Sequence, residues 1–546
     1  MRFDCDMRMT VVSLIGVAAI NVWAEIFSLF SGVKAIAFAP VALITVIGIA
    51  LCGKSMIEKI RQSFSCVGLI IAYALIILLM AYGTSGGYMH YDTNLYHAQA
   101  IRWIEEYGVV PGLANLQLRF GYNSAEFALN ALYGMKWLFG QSLHTAAGYF
   151  AMCSCMLLTD LRFCFHRDET GRISFGASMA DYVRVGLFFY LCTIFGEMTS
   201  PASDYFAQLL IFDIVILWLE NDRKERNTDC YAALCLLIVY AITIKLSIGL
   251  LVLLAIKPAV RLIKSKEWKK IWGYLISGFV IALPYFVRNH IISGWLLYPS
   301  TILSLGHPDW QVPKGTAQYD AREIGMWGRG ITDASRWKDV TSTNWISDWF
   351  LALGRVDRLL VVGGLCMLMV GVILIVYQIA TTFIMKRRTA TDISVSLKDF
   401  DATCDFAMIF GVIAVGTIFW WQSAPLVRYG YAYLIILPLL TLGYIIEKLP
   451  RLIRTAVFVV IATITCVIKC KAVVLNIASG ANIAYFVKQM DYIDGDAFTY
   501  EVDGATIYVA NDSGQIGYYK FPATPEQYND FALRGNDISD GFVTIQ

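Results

Sequence analysis

The segment from Gly86 to Asn123 (GGYMHYDTNLYHAQAIRWIEEYGVVPGLANLQLRFGYN) crowds carboxylates, imidazoles, guanidinium groups and aromatic rings between strongly apolar stretches. Asp92 stands in His90-Tyr91-Asp92-Thr93-Asn94-Leu95-Tyr96-His97, just beyond the end of an apolar run. A carboxylate flanked by aromatic rings and half out of water has its pKa raised by desolvation, which suits a general base taking a proton from a hydroxyl. The competing reading makes Asp92 the N-cap of a helix from Asn94 through Glu106, since Asp is a favoured cap. His90, Asp92 and His97 also carry the usual donor atoms for a metal, but their spacing matches no compact metal motif. Histidines at a surface or an interface are the simpler account, and a divalent ion shared by Asp92 and Asp204 stays open.

What must position these groups is a membrane framework. A chain of 546 residues that is 57% hydrophobic and only 16% charged lies outside the range of soluble domains. Apolar windows of roughly 15 to 22 residues start near Thr10, Ile36, Ser65, Ser142, Val185, Tyr205, Tyr231, Leu246, Ile271, Leu359, Phe406, Tyr429 and Thr455. The fold class is therefore all-α and polytopic, with about thirteen transmembrane helices. With the N-terminus cytoplasmic, basic clusters such as Arg162/Arg167/Arg172, Arg223/Lys224/Arg226 and Lys386/Arg387/Arg388 all fall inside, as the positive-inside rule asks.

That orientation requires Asn123 to Phe139 to be an amphipathic helix lying on the outer surface rather than a span. It assigns residues 1–471 to a transmembrane domain, with outside loops at 84–141 and 288–358. Residues 472–546 become a small extracytoplasmic α/β tail. Within that tail, Tyr500–Val502, Asp503-Gly504 and Thr506–Val509 read as a hairpin closed by a type I′ turn. A unit this small has a thin core alone and is expected to pack on the other outside loops.

The outer helix ends carry further chemistry. Thr199-Ser200-Pro201-Ala202-Ser203-Asp204 bridges two spans, and Asp204 either caps the second or faces the same cavity as Asp92. Lys245, Arg288 and Arg428 are cations at outer ends, against the positive-inside trend. Snorkelling explains them blandly. The functional explanation is a clamp on an anionic phosphate leaving group.

Other patterns carry less. Asp399-Phe400-Asp401 has the DxD spacing of metal and nucleotide-sugar sites, but Asp4-Cys5-Asp6 and Asp494-Gly495-Asp496 match equally, so it is noise. No phosphate-binding glycine loop in strand-turn-helix context and no basic tract is present, so neither a nucleotide cofactor nor a nucleic-acid partner is indicated. The thirteen cysteines fall in or beside apolar segments, with Cys470 the borderline case, and suggest buried apolar residues rather than a disulfide framework.

With these pieces placed, the chain resembles the GT-C superfamily of multi-spanning glycosyltransferases, in the branch of the protein O-mannosyltransferases and the lipid A aminoarabinose transferase. The matching features are Tyr91-Asp92 after an early span, NSAEFALNALYGMKWLFGQSLHTAAGYF, RNHIISGWLLYP and APLVRYGYAYLIILP. The resemblance implies an inverting transfer from a polyprenyl-phosphate-linked sugar to a hydroxyl on a glycan, lipid or protein acceptor outside the bilayer. It implies a bacterial inner-membrane setting and a role in cell-envelope polysaccharide chemistry. Asp92 would match the catalytic acidic residue. Asp204, Lys245, Arg288 and Arg428 would hold the donor phosphate or line its pocket, with Tyr91, His97, Arg102, Arg119, Asn289 and Tyr429 as further substrate contacts. Two extra spans before the key loop, and the tail, depart from that branch. The rival reading is a polytopic transporter or a lipid or glycan flippase without transferase activity.

Overall fold

The fold comes from a computed structural model that describes residues 8–63, 67–159, 164–167, 173–224, 227–386, 393–511 and 514–545. Arg162, Arg172, Arg226, Arg387, Arg388 and the Asp4-Cys5-Asp6 match lie outside the described residues.

Among the described residues, nine helices are long and apolar enough to cross a membrane: Met9–Ser28, Ala35–Glu58, Val67–Ser85, Leu246–Lys264, Trp268–Ser293, Arg355–Thr381, Asp405–Ser423, Val427–Ile446 and Arg451–Ser479. Only 11% of the most apolar window of Ala35–Glu58 and 17% of that of Arg355–Thr381 is buried inside the protein. Their aliphatic side chains face outward, where hydrocarbon is the fitting solvent and a helix satisfies its own backbone. The remaining four predicted segments are also helical. Ala146–Leu158 and Thr228–Ile244 are apolar but shorter, Met179–Ile194 has 16 residues, and Ser203–Lys224 carries Asp204, Asp213, Glu220 and Asp222.

Ser203–Lys224 runs through the middle of the bundle. Every residue from Tyr205 to Leu219 is buried, and the stretch is apolar nearly all round, as a helix enclosed by other helices must be. Met179–Ile194, Thr228–Ile244 and Val427–Ile446 pack around it. The central helix thereby fixes Asp204, in its first turn, against the ends of its neighbours.

One expectation is corrected. Asn123–Phe139 is not a single surface helix: Ala125–Gly134 and Lys136–Phe139 are separate pieces broken at Met135, whose φ is 46°. Residues 125–132 are all buried, because the first piece packs between Met9–Ser28 and Ala98–Glu106. Only the second piece, with Trp137, Leu138 and Phe139 exposed, keeps the expected outward apolar face.

In the tail, Ala497–Val502 pairs antiparallel with Ala505–Ala510, in a register that sets Val502 opposite Ala505. Asp503 and Gly504 both take positive φ, 50° and 86°, the conformation of the I′ turn read from the sequence. Ala523–Thr524 adds a short parallel strand, and Phe531–Leu533 pairs with Phe542–Thr544. The tail packs on the first loop. The amides of Ile516 and Gly517 donate to the Asn94 carbonyl at 3.1 Å each, and Phe521 meets Trp103 with ring centroids 4.7 Å apart.

Candidate active site

Four charged groups predicted from separate parts of the sequence come together at one end of the bundle. Asp92 lies in the loop that follows Val67–Ser85, with helical backbone angles (φ −66°, ψ −19°), and its side chain makes no capping bond. Its Oδ2 instead accepts from Nη2 of Arg428 at 2.7 Å. The same guanidinium lies 3.7 Å, through Nε, from Oδ2 of Asp204. Asp204 Oδ1 is paired with the Lys245 ammonium. Arg428 thus sits between the two carboxylates, and Lys245 neutralises the far side of the second.

The local sequence explains each position. Lys245 occupies an extended break (φ −149°, ψ 110°) between Thr228–Ile244 and the tighter helix that begins at Leu246. Its ammonium is 4.0 Å from the centroid of the Tyr429 ring. Arg428 is in the first turn of Val427–Ile446, where unpaired backbone N–H groups disfavour a cation, so nearby acids are needed to hold it there. Gln208, one turn beyond Asp204, clasps that turn: its amide donates to the Tyr429 carbonyl at 2.8 Å and its oxygen accepts from the Ala432 N–H at 2.7 Å. The Asp92 side is fixed by the Thr199–Asp204 turn, where Ser200 Oγ accepts from the His90 N–H at 2.6 Å. His90 Nδ1 accepts from the Asp92 N–H at 3.1 Å, and the His90 ring also touches Arg428.

The electrostatics reverse one expectation. Burial, the largest single influence, would raise the Asp92 carboxyl, but Arg428, His97 and His90 together outweigh it and hold the group below the ordinary Asp range. His97 is pushed down to about 3, by burial first, with Asp92 acting in the opposite sense, so its imidazole is neutral. Burial and then Arg428 also lower His90. Asp92 is therefore an ionised, ion-paired carboxylate, a weak base until another anion draws Arg428 away. A phosphate is an anion of the right kind, since guanidinium binds it in two-point contacts.

The donors do not fit a divalent ion shared by Asp92 and Asp204, because Arg428 already lies between them. Among the described residues no group of three or more His, Cys, Asp and Glu stands close enough to hold a metal.

Comparison with known families gives one match: residues 2–435 fit the family described as Domain of unknown function (DUF8201). The chain belongs to the DUF8201 family. No curated protein and no solved structure matches it. All four clustered residues lie inside the matched span, whereas the tail from residue 472 lies beyond it.

The other predicted site residues of this DUF8201 protein divide. Tyr429 joins the cluster, with Arg428 Nη2 3.3 Å from its hydroxyl. His97 is behind it, 3% exposed, against Tyr96 and Phe127. Tyr91 is half exposed, and its carbonyl accepts from Gln515 of the tail at 3.2 Å. Arg288 is elsewhere, which corrects its assignment to the phosphate clamp. It is buried inside the bundle, donating to Asn123 Oδ1 at 2.9 Å and to Ser28, beside Glu25. Trp268–Ser293 turns it toward Met9–Ser28, near the Glu25 carboxyl, although no hydrogen bond joins the two. Asn289 donates to the Leu296 carbonyl at 3.0 Å and serves the loop.

Arg102 is also corrected. It clamps the C-terminal tail, donating to the carbonyls of Tyr518 (2.7 Å) and Tyr519 (2.6 Å) and stacking 4.6 Å from the Phe521 ring. Arg119 stacks 5.0 Å from Trp327 and is 4.0 Å from Glu323, in the second loop. Sequence reasoning missed Gln208 and Ser200. Gln208 was detectable as the residue one helical turn from Asp204 in an otherwise apolar stretch.

Proposed function

We propose that this DUF8201 protein is an integral-membrane glycosyltransferase of the GT-C kind, moving a sugar from a polyprenyl-phosphate donor to an extracytoplasmic hydroxyl. The observation that carries the reading is the Asp92–Arg428–Asp204–Lys245 cluster, where two cations and two carboxylates from four separate helix ends share one spot. Outside the cytoplasm a transferase has no nucleotide sugar to use, so its donor must be lipid-anchored and bring its own phosphate leaving group. In this reading the donor phosphate displaces a carboxylate from Arg428 and Lys245. Asp92, released from its ion pair, then accepts the acceptor proton as the glycosidic bond to phosphate breaks through an oxocarbenium-like state. Thirteen crossings, a cytoplasmic N-terminus and an extracytoplasmic tail in a bacterial inner membrane belong to the same proposal.

The test is Asp92→Asn in the purified protein, assayed for sugar release from a panel of polyprenyl-phosphate sugars. Loss of turnover with donor binding retained supports the assignment, and unchanged turnover rejects it. A second reading, a transporter or flippase, draws on the charged groups inside the bundle, Glu25, Asp213 and Arg288, all at most 1% exposed. Polar groups in that position line substrate paths in transporters. Lipid-linked substrate export that survives Asp92→Asn, with no change in glycan, would favour it.

A further inference from the structure

A cavity of about 580 Å³ opens between the second loop and the end of Asp405–Ser423, apart from the charged cluster. Its wall combines the indoles of Trp337, Trp345 and Trp421 with Arg322, Gln422 and Ser342. Trp345 and Trp421 lie with centroids 5.2 Å apart and rest on Trp349, whose indole N–H donates to the Pro425 carbonyl at 3.0 Å. These two rings are therefore fixed by packing. Trp337 is different: it is 39% exposed and carries the Arg322 guanidinium 4.2 Å from its ring centroid. Stacked in that way, Arg322 makes no hydrogen bond or ion pair with any described residue, so its donors are free for a ligand acid. Arg329 is not free, since it donates to the carbonyls of Gln422 (2.6 Å) and Ser423 (3.0 Å) and closes the loop onto the helix end.

We propose that this cavity binds an acidic oligosaccharide, the acceptor glycan if the transferase reading holds. A sugar ring offers a face of C–H groups and an edge of hydroxyls, and it needs a flat apolar ring beside amide and hydroxyl partners. Indoles next to Gln422 and Ser342 supply both, within the volume range of small-molecule sites. Arg322 adds recognition of a carboxylate on the ring. A phospholipid headgroup would use the cation and leave the indoles idle. The site also has a physical route to the cluster: Gln422 and Ser423 end one helix, the short link that follows carries Pro425, and Arg428 opens the next. Tyr429 packs in the same apolar cluster as Trp345 and Trp421.

The test measures binding without turnover. Purified full-length protein in nanodiscs is titrated with tetragalacturonate, with maltotetraose as the neutral control and glycerophosphoglycerol as the headgroup control, and read by saturation-transfer NMR. The expected result is transfer to the ring protons of tetragalacturonate, stronger than to maltotetraose. Affinity should fall about tenfold or more in Trp337→Ala and in Arg322→Gln. Both residues are exposed, so both variants should fold, and Asp92→Asn should bind as wild type does. Absence of transfer from tetragalacturonate, or transfer that persists in both variants, overturns the proposal, as does a signal from glycerophosphoglycerol alone. If Asp92→Asn retains turnover while tetragalacturonate binding depends on Trp337, the transferase reading falls and the glycan site stands.

Discussion

Asp92 and Arg428, 336 residues apart in the chain, are joined at 2.7 Å by an Nη2–Oδ2 hydrogen bond, and neither side chain is more than 29% exposed. An ion pair so placed ties the first loop to the first turn of a late helix. Removing one partner leaves the other charged in a poorly solvated place, which costs about 3 to 5 kcal/mol where burial is full. We expect Arg428→Gln to destabilise the protein by part of that amount. The Asp92→Asn/Arg428→Gln double variant should recover most of the loss while staying inactive. Thermal unfolding of the four members of this cycle checks the coupling, and additive losses would mean that the contact is not energetically real.

The acid side of the pH profile should be set elsewhere than at Asp92. Its folded pKa is depressed, so the stability it contributes is present above about 3.9, the unfolded value, and is lost as pH falls through the lower folded value. His97 works over a wider range. The unfolded imidazole takes a proton below about 6.5, whereas the folded one resists until about 3, so stability declines as pH drops between those values. Denaturation followed at a series of pH values should show this slope, and His97→Phe should flatten it.

Glu105 gives the opposite sign. It is pushed up to about 7 by burial, against the lowering effect of its bonds from Ser142 and Tyr518. Between about 4.3, the unfolded value, and 7 only the folded state holds this proton, so stability falls as pH rises through that window. Because Tyr518 belongs to the tail, its docking should loosen on the alkaline side of the window. The protection factors of residues 514–524, which take out base-catalysed intrinsic exchange, should fall as pH rises toward 8, and Glu105→Gln should remove that fall. Protection factors that do not change with pH in the wild type would count against the anchor.

Arg102 holds the same tail through two carbonyl bonds and a ring stack. Charge-assisted bonds and stacking of this kind are worth about 1 to 3 kcal/mol together. Arg102→Ala should therefore make the segment after residue 490 about tenfold more sensitive to limited proteolysis, while the transmembrane helices stay intact. An unchanged digestion pattern would show that the tail is held by its apolar contacts alone.

Arg288 should behave as a structural cation. Arg288→Leu removes the donor that holds Asn123 and Ser28 inside the bundle and should cost about 1 to 3 kcal/mol of thermal stability, whereas Arg288→Leu/Asn123→Leu should be milder. Donor binding by the folded double variant should match the wild type. A specific loss of donor binding would return Arg288 to the phosphate clamp.

Much of the framework was legible because it depends on composition over a short window. Apolar runs such as Val67–Ser85 give helices whatever surrounds them, and Asp503-Gly504 has few conformations open to it other than the tight turn. The sequence also marked Asp92, Asp204, Lys245 and Arg428, since a charge at the end of an apolar helix stands out. It could not say which of these charged groups meet, because that depends on how each helix is rotated about its axis. Arg288 and Arg428 look alike in sequence, yet one faces Glu25 and the other Asp92.

The sign of the Asp92 shift was likewise a tertiary matter. Arg428, 336 residues away, is the first of the neighbours that lower it, and no local pattern carries its presence. The indole cavity has the same origin: Trp337, Trp345 and Trp421 are scattered aromatic residues until the second loop folds onto the end of Asp405–Ser423. Local sequence fixed which segments are helical and which residues carry charge. Only the packing of those helices decided which charges neutralise one another, because Coulomb interaction at contact distance is set by position in space and not along the chain.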